Sequence, residues 1–188
     1  MMKRREFVTR MITGAGGTAL STYTRPVFAQ ERRYLSEEQA FRLVFPRSQR
    51  IVKDEKELDD DQLRSVASRI GLRLRNRSQV VYRGETGPDT DGFAMIANEI
   101  GKEQCITFIV GITKDFKVQR VALMVFRETR GWEVEDPRFT DQFRGKTGRD
   151  RLLVGGDIIG ITGATLSSRA FCRGTKRALA ICEALYNR

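Results

Sequence analysis

The 188-residue chain contains no histidine. This absence excludes catalytic triads and dyads that use an imidazole base, and it excludes zinc and haem sites held by histidine. Only three cysteines are present, and their spacings match no metal or redox motif. We predict buried free thiols, because Cys105 lies in an apolar strand pattern and Cys172 and Cys182 lie in a helical one.

Long apolar runs are also absent. No stretch approaches the roughly 20 apolar residues that a membrane-spanning helix needs, so no permanent membrane span is expected. With 40% apolar and 31% charged residues, the composition is that of a globular protein rather than of a disordered tail or a membrane-spanning chain.

The chain is basic, with a formal net charge of +10. Five basic residues against one acidic residue in positions 1–29 account for four of these charges, and the others are spread among interleaved acidic residues. Such a surface suits an anionic membrane or an acidic protein partner, or it is simply solvated. The mixed signs argue against nucleic acid as a partner.

The N-terminal 29 residues have the order of regions that is typical of an export signal. Residues 3–8 read KRREFV, which resembles the twin-arginine motif, and a weakly apolar, glycine-rich stretch covers 11–23. Residues 27–29 read VFA, a small-residue cleavage pattern with the cut expected before Gln30. We therefore expect export to the periplasm through the twin-arginine route, which carries folded proteins.

The remaining sequence carries helix signals, then strand signals. A capping box at 36–39 begins one helix, which Pro46 stops, and a second helix is predicted over 60–70 and closed by Gly71. The aspartates at 59–61 are explained by the helix dipole rather than by a metal, and the charge run at 53–62 by a solvated linker. Strands are predicted at 79–82, 93–100, 105–112 and 118–126, with a turn at 87–92 and a last helix over 165–186. The predicted fold is α+β: an antiparallel sheet with two N-terminal helices and a C-terminal helix packed on it.

The start of the last helix is a candidate anion site. Residues 160–168 read GITGATLSS, so small and hydroxyl side chains surround the place where free N–H groups and the positive end of the helix dipole lie. Gly163 and Ala164 would let a phosphate approach the backbone, and Ser167 and Ser168 can cap or donate. An ordinary capped helix start explains the same residues, and both readings stay open on this segment alone.

Two further segments, together with the helix start, form a recognisable set of motifs. Residues 127–132 read RETRGW and residues 139–146 read FTDQFRGK. Together with TGATLSS at 162–168, they resemble the FMN-binding domain family, whose members include the G subunit of Rnf electron-transport complexes and the C subunit of sodium-pumping quinone reductases. The resemblance covers roughly residues 79–187. It divides the chain into a signal at 1–29, an N-terminal helical segment at 30–78 and an FMN-binding domain at 79–188.

The resemblance implies a role for each matching residue. Thr165 would accept FMN through a phosphoester, transferred from FAD by a separate magnesium-dependent flavin transferase. The residues implied to shape the phosphate and ring pocket are Thr162, Gly163, Ala164, Leu166 and Ser168, with Glu128 and Thr129 facing the flavin.

Other residues near these motifs have open roles. Trp132 would either pack on the flavin ring or anchor its loop. Positive groups near the ring would stabilise the reduced flavin, and the candidates by location are Arg127, Arg130 and Lys146. The family usually has an aspartate six residues before the acceptor threonine, whereas this chain has Ile159, so non-covalent FMN remains an alternative.

The implied function is electron transfer by an extracytoplasmic flavoprotein between redox protein partners associated with the membrane. Two alternatives remain: a small extracytoplasmic flavin-dependent reductase, and a flavin-free binding module of the same fold. The GKT at 145–147 resembles the end of an NTPase phosphate loop, but the first glycine that such a loop requires is replaced by Thr140. No ATP site is expected.

Overall fold

A computed structural model describes residues 31–187, and its centre is one six-stranded antiparallel sheet with strand order β1-β6-β5-β4-β3-β2. The expected export signal lies outside the described residues. The strands are β1 Arg32–Arg33, β2 Arg50–Glu57, β3 Ser78–Thr86, β4 Asp89–Ile100, β5 Cys105–Thr113 and β6 Val118–Phe126. The helices are α1 Glu37–Val44, α2 Asp60–Ile70, α3 Pro137–Thr140 and α4 Thr165–Tyr186, with short 3₁₀ turns at Trp132–Glu135 and Asp141–Phe143.

Helices cover both faces of the sheet, which confirms the α+β class. Strand β5 is buried along almost its whole length because successive side chains point to opposite faces and both faces are covered. Phe108 stacks on Phe171 of α4, with ring centroids 4.1 Å apart. Ile109, the next residue, belongs to the smaller cluster that α1 closes with Ala40 and Val44. The larger apolar cluster therefore lies between the sheet and α4.

The two N-terminal helices begin and end where the sequence predicts. Ser36 and Asp59 each accept a hydrogen bond from the backbone N–H three residues later, and both form complete capping boxes. Helix α2 ends at Gly71, which has φ 72°. Asp59 thus caps a helix, as the dipole argument expects for this acidic run.

The predicted linker at 53–62 is wrong for most of its length. Residues Arg50–Glu57 form strand β2, which pairs with β3 over eight residues. Its side chains are charged because β2 is an edge strand, where charge prevents pairing with other chains. Asp54 bonds Arg83 of β3 at 2.7 Å, and the Lys56 ammonium lies 4.3 Å from the ring centroid of Tyr186. Strand β2 is stabilised by ionic contacts with neighbouring residues and lacks the alternating apolar residues from which strands are predicted.

The expected turn at 87–92 is shorter in the structure. Strand β3 extends to Thr86 and β4 begins at Asp89, so Gly87 and the following proline alone connect them. Asp91 stabilises this hairpin by accepting hydrogen bonds from the hydroxyls of Ser48 and Thr86. Strands β1 and β2 come from the segment before residue 79 and join the same sheet. The domain boundary at residue 79 stays a prediction.

The long C-terminal helix has the predicted bounds and supplies much of the core. Cys172 and Cys182 are buried free thiols, as expected, whereas Cys105 at the start of β5 is only half-buried. Burial raises the pKa of the Cys172 thiol to about 12, and burial also raises that of Cys182. Among the helices of residues 31–187, none combines the length and the apolar character that crossing a bilayer requires.

Candidate functional site

The predicted acceptor, Thr165, is the first residue of α4 and is exposed. The residue before it, Ala164, has no side chain that could cap the helix, and the first turn contains no acidic residue. The free N–H groups at the start of α4 are therefore not hydrogen-bonded by a carboxylate of the first turn. They point towards the place where an anion would bind. Thr162, Gly163 and Leu166 surround Thr165 on the exposed side.

Two other residues of this motif have internal roles. Ser168 is fully buried; its hydroxyl donates to the Ala164 carbonyl at 3.0 Å and accepts from the Ile161 N–H at 3.4 Å. Ser168 thus fixes the bend that leads into α4. Ala164 is buried beneath this bend. Ser168 and Ala164 therefore shape the site through the backbone. Direct contacts with an anion would be made by their exposed neighbours.

The Arg-Glu-Thr-Arg-Gly-Trp segment packs directly on the helix start. Gly131 has φ 95°, and a Cβ at this position would lie 2.5 Å from Oγ of Ser167 and 3.6 Å from Cα of Ala164. Only glycine combines this backbone conformation with so close an approach. Two motifs separated by about 30 residues in the sequence therefore form one surface.

Trp132, which follows Gly131, is half-buried. The guanidinium of Arg32 in β1 lies 4.3 Å from the centroid of its ring, within the range of a cation–π contact. One face of the indole is therefore covered by this chain. This contact supports a role in anchoring the loop, and a flavin would have to use the other face.

Glu128 is buried and its carboxylate binds a turn. Oε1 accepts from the backbone N–H groups of Lys102, Glu103 and Gln104 at 2.5, 2.7 and 2.9 Å. The turn that these N–H groups form connects β4 to β5, so Glu128 fixes that turn beside the end of β6. Thr129, the next residue, is exposed. The resemblance implies that Glu128 faces the flavin, and the sequence contains no indication that its carboxylate binds this turn.

A cleft of about 400 Å³ lies beside the segment that leads to Thr165. Gln142 holds one wall of this cleft: its Oε1 accepts from the Ile159 N–H at 2.7 Å, and its Nε2 donates to the Ile159 carbonyl at 3.2 Å. The Ile159 side chain itself is 78% exposed. The residues that line the cleft are Glu133, Asp136, Arg138, Phe139, Gln142, Ile159, Gly160 and Ile161.

Asp157 and Lys146 stabilise the loop that precedes this segment. The Asp157 carboxylate accepts from the N–H groups of Leu152 and Leu153 and from Lys146 Nζ, at 2.9 to 3.1 Å. Burial raises the pKa of Asp157, but the hydrogen bonds from Leu153, Lys146 and Leu152 outweigh this effect and hold the pKa below its usual value. Lys146 is thus engaged in a structural ion pair.

The other two cations proposed near the ring differ in their contacts. Arg127 bonds Glu31 Oε2 at 3.0 Å and the Thr107 hydroxyl at 2.9 Å. Arg130 is exposed and makes no hydrogen bond or ion pair with any other residue in the range 31–187. Arg130 is therefore the candidate that is free to approach a flavin.

Comparison with known proteins identifies a similar domain family and a similar fold. Residues 101–180, which contain all three motifs, match the model of the FMN-binding domain. The fold is similar to the crystal structure of Shewanella oneidensis NqrC, with a TM-score of 0.54 and 16% sequence identity over 78% of this chain and 86% of that chain. No curated protein sequence matches the chain significantly. The matched region, residues 101–180, is therefore an FMN-binding domain, and its cofactor is FMN.

Proposed function

We propose that this chain is an extracytoplasmic electron carrier that holds FMN through a phosphoester to Thr165. The observation that carries the proposal is the position of the Thr165 hydroxyl: it is exposed at the first turn of a 22-residue helix whose N–H groups have no carboxylate in that turn. Such a turn is suited to one phosphate. The resemblance to the FMN-binding family motif adds the identity of the phosphate compound.

The attachment is a transfer reaction that a separate flavin transferase performs with FAD as donor. The Thr165 oxygen would bond to the phosphorus of the FMN half of FAD while the P–O bond from that phosphorus to the bridging oxygen breaks, so that AMP would leave with the bridging oxygen and the hydroxyl proton would go to solvent. In this reaction the chain supplies an accessible hydroxyl and a positive helix end that stabilises the phosphate charge. Bound flavin supplies the redox chemistry.

The cleft beside Ile159 to Ile161 is the place we assign to the flavin ring. It ends four residues before Thr165 in the sequence, and Phe139 and Ile159 give it apolar walls. Gln142 fixes its backbone edge through both hydrogen bonds to Ile159. The flat apolar ring would be held in that cleft, with Arg130 free to approach the charge of the reduced form.

Intact mass spectrometry tests the ester. The chain is co-expressed with a flavin transferase as wild type, as Thr165→Val and as Thr165→Ser. We expect wild type to gain the mass of FMN minus water and Thr165→Val to gain nothing, while the serine variant keeps a hydroxyl and serves as the matched control. If wild type binds FMN but shows no added mass, the ester is wrong and the carrier role stands.

A second candidate function is an extracytoplasmic flavin-dependent reductase, which would need an open substrate pocket beside the flavin ring. The groove of about 810 Å³ that runs along α4 from Cys172 does not meet this need, because it shares no lining residue with the cleft that we assign to the ring. Steady turnover of a soluble acceptor by the flavin-loaded protein would favour the reductase, and reduction of protein partners alone would favour the carrier.

We also propose that residues 1–29 direct the chain to the periplasm through the twin-arginine route. The motif at 3–8 supports this proposal. Replacing both arginines with lysine, as Arg4→Lys with Arg5→Lys, keeps the charge and should retain the uncleaved chain in the cytoplasm. Cleaved periplasmic protein from this variant at the wild-type level would count against the route.

A further inference from the structure

The groove along α4 is separate from the cleft that we assign to the flavin ring. It lies between the loop that connects α2 to β3, the strand β4, and the middle of α4, and it has no lining residue in common with the cleft beside Ile159. Its volume of about 810 Å³ is in the range of small-molecule sites. The three family motifs do not extend into it.

The floor of the groove is apolar and so is part of its rim. Buried side chains of Met95 and Ala97 from β4 meet Cys172 and Ala178 from α4 at the floor. At the rim, Leu72 is 63% exposed and Leu153 is 46% exposed. Apolar side chains left in water around a concave surface are typical of a binding site.

The charges of the groove are strongly unbalanced. Six cationic side chains line it against one carboxylate, Glu99. Glu99 is buried and bonds Arg177 at 2.7 Å and Arg173 at 3.5 Å, so its charge is already compensated. The cationic side chains that form no ion pair within residues 31–187 are Arg73, Arg75, Arg151 and Lys176.

These cations come from separate segments that line the same groove. Arg73 and Arg75 belong to the α2–β3 loop, whereas Arg151 belongs to the loop before α4, where Lys176 donates to its carbonyl oxygen at 3.3 Å. Cations gathered around a concave apolar floor repel one another, and a bound anion would relieve that repulsion. Guanidinium groups bind carboxylate and phosphate oxygens well because their donors form a planar fork.

We propose that this groove binds an organic anion that has a flat or branched apolar body and a carboxylate, phosphate or sulfonate group. The body lies on Met95, Ala97 and Ala178, and the acidic group pairs with the arginines at the rim. The proposal does not depend on flavin attachment, because none of these residues belongs to the Thr165 site. Two sources of such an anion are a free metabolite and the headgroup region of an anionic lipid.

The probe is 8-anilinonaphthalene-1-sulfonate, an aromatic sulfonate whose fluorescence rises when it leaves water. It is titrated into the purified full chain in the wild-type form, as Arg73→Ser with Arg75→Ser, and as Arg151→Ser. We expect a Kd at least ~10-fold weaker in each groove variant, which corresponds to about 1.4 kcal/mol. The matched control is Lys114→Ser with Lys117→Ser in the β5–β6 turn, which removes two charges away from the groove and should leave the Kd unchanged.

Lipid vesicles distinguish the two sources of the anion. Phosphatidylglycerol vesicles that displace the probe, when phosphatidylcholine vesicles do not, assign the anion to lipid; no displacement assigns it to a soluble compound. The Thr165→Val variant should bind the probe like wild type, so loss of the ester does not affect this test. Equal weakening in the lysine control, or no saturable binding to wild type, would overturn the proposal.

Discussion

The side-chain amide of Gln142 binds the backbone of Ile159 on both sides, accepting from its N–H at 2.7 Å and donating to its carbonyl at 3.2 Å. This pair connects the Phe-x-x-Gln-Phe segment at 139–143 to the loop that leads into α4. It positions the wall of the cleft that we assign to the flavin, and both residues line that cleft.

We therefore expect Gln142→Leu to reduce both stability and flavin attachment. Three hydrogen bonds are lost, the third being the one that Nε2 donates to the Arg138 carbonyl at 3.3 Å, and the backbone groups of Ile159 lose their partner. The free energy of unfolding should therefore fall by about 1–3 kcal/mol. Urea unfolding and the flavinylated fraction measure the two effects. Gln104→Leu is the control, because Gln104 is exposed and its side chain makes no hydrogen bond with the rest of the described chain. Full flavinylation of Gln142→Leu would contradict the positioning role.

The position six residues before Thr165 offers a gain-of-function test. Ile159 is 78% exposed, so a polar side chain is tolerated there without a cavity. If the flavin transferase reads an acidic residue at this position, Ile159→Asp should raise the rate of FMN attachment several-fold, and Ile159→Asn, which has the same shape, should not. The rate is followed by mass spectrometry after limited co-expression. Equal rates in all three proteins would show that the transferase does not use this position.

Gly131 provides a matched pair of glycine substitutions. Gly131→Ala introduces strain at φ 95° and places a methyl group 2.5 Å from Oγ of Ser167, whereas Gly155→Ala introduces similar strain at φ 81° with nothing within 4 Å. Strain alone costs about 1–2 kcal/mol in each variant. We expect Gly131→Ala to lose more stability and to lose flavin attachment, and Gly155→Ala to keep attachment. The same flavinylated fraction in both variants would argue against the contact with Ser167.

Asp157 makes stability depend on pH in a defined direction. Its pKa is held below the usual value, so the carboxylate contributes stability that is fully present above about pH 4 and is lost as the pH falls through the lowered value. Asp157→Asn should therefore cost about 1–3 kcal/mol at pH 7, and the cost should shrink as the pH falls below about 4. Denaturant unfolding at neutral and at acidic pH tests this. Asp115→Asn, in the exposed β5–β6 turn, is the control and should differ little from wild type at either pH.

The sequence predicts the regular elements well where local signals decide them. The capping residues Ser36 and Asp59 and the whole of α4 agree with the structure because caps and helical periodicity are local. The sequence does not predict β2 because its eight residues are mostly charged, and a two-residue strand such as β1 has no recognisable pattern. Both strands exist because partner strands elsewhere in the chain pair with them.

The candidate site was predicted in its composition but not in its contacts. Gly131 packs on the start of α4 and Gln142 bonds Ile159, which precedes it, whereas Glu128 and Ser168 bind the backbone instead of facing an open pocket. No local signal indicates that a carboxylate will bind a turn 24 to 26 residues earlier. Gln142 belongs to a recognised motif, but its role cannot be predicted from that motif. The role depends on hydrogen bonds to Ile159, which lies close only in the folded chain.

Helix α4 has its exposed hydroxyl at one end and core side chains along the turns that follow. An unfolded chain offers neither the oriented N–H groups nor the packed loop of Gly131, so the flavin attachment that we propose would require this helix to have formed and docked on the sheet. The flavinylated fraction of a preparation would then measure how many molecules had folded when they met the transferase. A core substitution far from the flavin would lower that fraction.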